Sequence, residues 1–107
     1  MSHTKKNREE DRYVKQIRET LAAYKEKHPE ASVNAYRQNS ASVRVRVIDP
    51  DFNGMDRVDR DTLIRTYLVA MPEDVRSEIS MLVLVTPKET KTSLANQEFE
   101  HPTRSRL

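Results

Sequence analysis

The groups able to do chemistry sort by type and spacing. Asp49, Asp51, Asn53 and Gly54 form a D-x-D-x-N-G run, which resembles the opening of a calcium-binding loop. Such a loop must close on a bidentate glutamate, but Arg60 stands at that position and Pro50 interrupts the run. An Asx-rich turn is expected there instead. His3, His28 and His101 are far apart, none pairs at i, i+4, and the chain has no cysteine. No metal-ligand spacing results, and three solvent-exposed histidines are expected. A disulfide scaffold is excluded on the same count. No serine or threonine sits in a glycine elbow, and one glycine is too few for a phosphate-cradling loop. Asp56, Asp59, Asp61, Glu73 and Asp74 interleave with Arg57, Arg60 and Arg65. That pattern predicts an ion-paired helix surface, not a buried carboxylate dyad. The expectation is a protein that is not an enzyme and carries no metal or cofactor.

Arginines are the remaining chemical resource. Arg44 and Arg46 alternate with valines, so both project from one strand face into water. Arg37 is expected to join them from the neighbouring strand. A face of this kind suits contact with phosphates. The overall charge does not reinforce it: 19 Lys and Arg against 17 Asp and Glu leave a net +2, and Tyr36 is the one stacking platform nearby. Nucleic-acid binding through Arg37, Arg44 and Arg46 therefore stands as the alternative to a charged solvent face whose arginine stems cover apolar surface.

The elements that must position these groups follow from periodicity. Val14, Ile17, Leu21 and Tyr24 fall at i, i+3, i+7 and i+10, one stripe of a helix that His28-Pro29 terminates. Ser32–Gln38 and Ser42–Ile48 read as strands, and the short polar link at 38–41 makes them an antiparallel hairpin. In the second strand Val43, Val45 and Val47 mark the buried face. Gly54, beside Asn53, is placed for a positive φ, and Phe52 for the core beneath the turn. A helix is predicted from about Asp56 to Ala70, with Ile64, Tyr67, Leu68 and Met71 on one side. Pro72 suits the first turn of a short helix with Glu73 and Asp74. Ser80–Val85 reads as a strand either covered on both faces or leaving one for a partner or a second copy. Thr86-Pro87-Lys88-Glu89 has the form of a capping box, opening a last helix to about Asn96.

The resulting order is α-β-β-α-α-β-α. A helical crossover between the second and third strands makes them parallel, so the expected architecture is α+β, a three-stranded mixed sheet packed against helices. Residues 10–96 make a single domain, with flexible tails at 1–9 and 97–107. No run of about 18 apolar residues marks a membrane span, and no basic segment precedes an apolar one. A cytoplasmic protein, monomeric or weakly dimeric, is expected.

The segment Phe52-Asn53-Gly54-Met55-Asp56-Arg57-Val58-Asp59-Arg60-Asp61-Thr62-Leu63-Ile64 resembles the signature of BolA-like proteins: a Phe-x-Gly turn, a spaced Val, then Arg-His and an apolar residue opening a helix. The element order is also similar to that family, whose fold is like a class II KH domain. The resemblance covers roughly residues 10–96. It implies an interaction or regulatory module whose partner is a monothiol glutaredoxin or another protein, docking near Arg57, Arg60 and Asp61. In that family a His follows the signature Arg and helps bind a shared iron–sulfur cluster. Here the position is Asp61, and the link at 38–41 lacks the family's second ligand, a His or Cys. Aspartate is a poor substitute in such a site. The resemblance therefore implies a member without cluster ligation. KH-type RNA clamping is weakened as well, since it needs a Gly-x-x-Gly loop.

Overall fold

The computed structural model describes residues 11–103. Helix α1 (Arg12–Lys27) opens at Asp11, whose carboxylate accepts the Tyr13 and Val14 N–H groups at 2.9 and 3.2 Å. It buries Val14, Ile17, Leu21 and Tyr24 and stops before Pro29. Strands β1 (Ser32–Asn39) and β2 (Ser42–Ile48) pair antiparallel, and β3 (Ile79–Val85) joins β2 in parallel. Between β2 and β3 the chain forms a 3₁₀ turn (Pro50–Phe52), helix α2 (Arg57–Leu68) and the one-turn helix α3 (Glu73–Arg76). Pro72 stands just before α3 as its N-cap residue. The sheet order β1-β2-β3 is the mixed, three-stranded arrangement expected from the crossover.

Each face of the sheet has its own cover. On one face Ala35, Val43, Val45 and Val47 pack with α1, with Phe52, and with Ile64, Leu68, Met71 and Val75 of the crossover. The valines and Phe52 are completely buried, each side chain contributing about 1.5–3 kcal/mol. On the other face Val83 and Val85 meet Phe99, with Tyr36, Ile48 and Met81 at the margin. The apolar run in β3 is thus covered on both sides, because its alternate residues feed two separate clusters.

The C-terminal end departs from expectation. Thr86 and Glu89 do form the reciprocal capping box, at 2.9 and 3.2 Å, but it caps a 3₁₀ turn (Lys88–Lys91). A separate helix, α4 (Leu94–Glu100), then starts at Ser93, which accepts the Asn96 N–H at 3.0 Å. Packing therefore continues past residue 96: Phe99 is buried, and its carbonyl accepts the Tyr36 hydroxyl at 2.6 Å. Residues 97–100 belong to the fold, while 1–9 lie outside the described residues. No helix among the described residues is long and apolar enough to cross a membrane.

Candidate partner-binding groove

The groove is built at the outer edge of β3, where α2 and α4 begin. Gly54 adopts φ +85°, the left-handed conformation a side chain disfavours, and turns the chain into α2. Asp56 caps the helix by accepting the Asp59 N–H at 2.9 Å. This places Arg57, Arg60 and Asp61 beside Leu82–Val85 of β3, with Ser93 and Ala95 opposite, around a hollow of about 170 Å³. A wider hollow of about 500 Å³ adjoins it, reaching Met55, Glu89, Thr92 and Leu94. Leu94 is 81% exposed, and Val58, the neighbour of Arg57, is 70% exposed.

The three residues expected to meet a partner hold different positions. Arg57 is exposed at the rim. Asp61 is partly exposed at the rim and bonded to Arg65 one turn later. Arg60 is buried and committed within the fold. It donates to the Met55 carbonyl and the Leu84 carbonyl, both at 3.0 Å, and to both Glu89 oxygens, at 2.7 and 3.1 Å. Its guanidinium also lies 5.5 Å from the Phe52 ring centre. Arg60 therefore ties α2, the glycine turn, β3 and the following 3₁₀ turn together. The bidentate pairing, assisted by the Thr86 N–H, lowers the Glu89 carboxyl from 4.5 to about 2.

The arginines of the alternative surface are not brought together in water. Arg44 and Arg46 share a face, but α4 lies over it. Arg44 pairs with Glu98 at 3.0 Å and Arg46 with Glu100 at 2.7 Å, leaving the arginine side chains 16% and 12% exposed. Arg46 further donates to the side-chain oxygens of Asn34 and Asn96 and stacks over Phe99. Arg37 pairs in register with Val43, so it belongs to the opposite face from Arg44, whose partner is Tyr36. There it bridges Asp11 at 2.8 Å and Glu78 at 2.7 Å. The Arg37 hydrogen bond lowers the Asp11 carboxyl to about 2. The expected solvated cationic face is corrected accordingly: periodicity identified a shared face for Arg44 and Arg46, but an acidic helix neutralises it.

His28 also departs from the expected exposed histidine. It stacks on Tyr24, 4.1 Å between ring centres, and its Nδ1 lies 2.7 Å from Asp51 and 3.5 Å from Asp49. No local spacing could reveal this group, because α1 and the end of β2 meet only in the folded chain. His101 is exposed, and His3 lies outside the described residues.

No family model and no curated protein matches the chain. Among solved structures, BolA1 from Arabidopsis thaliana matches with a TM-score of 0.52 at 22% identity, covering 75% of this chain and 96% of that one. The chain has a BolA-like fold. At this identity the likeness extends to the fold alone. An iron–sulfur cluster at the positions where the resembled family holds one does not fit the donors present. Asp61 already bonds Arg65, and the hairpin link Gln38-Asn39-Ser40-Ala41 offers neither thiolate nor imidazole.

Proposed function

We propose that this BolA-like chain is a cytoplasmic, non-enzymatic interaction module that docks a protein partner at the groove without a cluster. The observation carrying this reading is the groove itself, with accessible Arg57 and Asp61 at one rim and exposed Leu94 at the other. An apolar anchor beside opposite charges supplies both burial and orientation for a docked surface. Arg60 contributes by holding the walls in place, since its donors are already engaged within the chain. A monothiol glutaredoxin is the partner the family resemblance suggests.

Titration calorimetry with an iron-free monothiol glutaredoxin tests the proposal. The expected result is a colourless one-to-one complex that Arg57→Glu or Leu94→Ala weakens by about tenfold, the size of a modest hot spot. Binding unaffected by both variants, or no binding, overturns it. Capture from host lysate with and without nuclease provides the broader screen: loss of all captured protein on nuclease treatment also counts against the proposal.

A further inference from the structure

A second constellation lies away from the groove, where the end of α1 meets the turn after β2. Its donor atoms are His28 Nδ1 and one carboxylate oxygen each from Asp49 and Asp51, all within 4.8 Å of one another. The three residues are held by different means. His28 is fixed by its stack on Tyr24 and by its backbone N–H, which donates to the Tyr24 carbonyl at 3.0 Å. Asp49 caps the 3₁₀ turn, its Oδ1 accepting the Asp51 N–H at 2.9 Å, and Pro50 stiffens the backbone between the two aspartates. Asp49 Oδ2 also accepts the Tyr24 hydroxyl.

Burial makes this group unusual. Asp49 is 1% exposed, and no lysine or arginine pairs with it among the described residues; His28 is its basic partner. Asp51 is 62% exposed at the side chain and His28 22%, so the cluster opens to solvent on that side. We propose that His28, Asp49 and Asp51 form a binding site for one borderline divalent cation of the zinc class. One imidazole nitrogen and two carboxylate oxygens are a mixed donor set of the kind such ions accept, and solvent completes the coordination. At metal–ligand distances of about 2.0–2.2 Å, neighbouring donors of a tetrahedral ion lie roughly 3.5 Å apart. The His28–Asp49 separation already matches this, while the exposed Asp51 side chain must back away from its 2.7 Å contact with His28. With the ring proton on Nε2, the Nδ1 lone pair goes to the ion; a proton on Nδ1 is released to solvent. Tyr24 supports the site from behind by orienting the Asp49 carboxylate.

The test uses the full metal-free chain and Zn²⁺ in titration calorimetry, with Co²⁺ absorption as the spectroscopic readout. One saturable site is expected, with ligand-field bands on Co²⁺ binding and a rise in melting temperature with Zn²⁺. Asp51→Asn, at an exposed side chain, should weaken binding at least about tenfold and His28→Gln should abolish the bands. A His3→Ala/His101→Ala variant should bind as the parent does. Absence of saturable binding overturns the site, as does binding that survives Asp51→Asn and His28→Gln or disappears in the His3/His101 variant.

Discussion

On one face of the sheet, Val43, Val45 and Val47 are fully buried beneath α1 and the crossover helices. Between them in sequence, Arg44 and Arg46 point the other way and are almost as well covered, by α4. The first face is held mainly by apolar packing, with Arg37 bridging Asp11 and Glu78 and the Tyr24 hydroxyl bonded to Asp49. The second combines Phe99, Val83 and Val85 with guanidinium groups whose charges are matched by Glu98 and Glu100. Alternation reports which residues share a face, but not whether the polar face meets water. A helix with its own carboxylates can cover cationic residues at little cost, because long arginine stems pack while their heads reach the helix edge.

This contrast makes unequal demands on the two faces, and mutation should expose the difference. Truncating the apolar face has the largest effect: Phe52→Ala should lose about 3–5 kcal/mol of stability in urea denaturation, since it empties a fully enclosed site. An unchanged midpoint would show that face to be loosely packed.

At the sheet edge, the effect is smaller and depends on pH. Folding lowers the Glu89 carboxyl from 4.5 to about 2, so its stabilisation is present above 4.5 and is lost as pH falls toward 2. Glu89→Gln should remove that part of the acid sensitivity and about 1 kcal/mol at neutral pH, the modest size reflecting solvent screening of a partly exposed carboxylate. Asp11, lowered from 3.8 to about 2 by Arg37, retains its own contribution in the variant. Thermal melts of both proteins across this range measure the difference, and parallel curves would contradict the assignment.

The smallest effect belongs to the arginine face. The Arg44 Nε is buried without a partner, and Glu98 keeps the Thr103 N–H and hydroxyl as donors if Arg44 is removed. Arg44→Met should therefore leave stability unchanged or raise it by up to about 1 kcal/mol. A loss above about 2 kcal/mol in the same urea assay would mean that charge, rather than apolar packing, holds α4 in place.

The legible parts of the chain were those with strong local constraints. The α1 stripe, the β2 alternation, the positive φ of Gly54 and the Thr86–Glu89 box each follow from residues within a few turns of one another. The α4 helix was harder to read because its seven residues offer little periodicity, its first apolar residue faces outward, and Phe99 finds its partners in β1 and β3. Strand order alone does not set register, so it leaves the face of Arg37 open; pairing with Val43 decides it. Of the candidate groove, Arg57 and Asp61 stand at the rim, while the inward commitment of Arg60 depends on Leu84 and Glu89, more than twenty residues away. The His28 group was hidden for the same reason of distance.

The parallel pairing of β2 with β3 has a consequence for the order of folding. The β1–β2 hairpin closes through a short turn, whereas β3 must wait until the whole segment from Asp49 to Glu78 has been brought round. Closing that longer loop carries the greater entropic cost, so β3 is the late arrival. Until then Ile79–Val85, an apolar strand with a single serine, has no native neighbour. During synthesis or refolding this is the segment most exposed to pairing with another unfinished chain, and aggregation competes with folding there first.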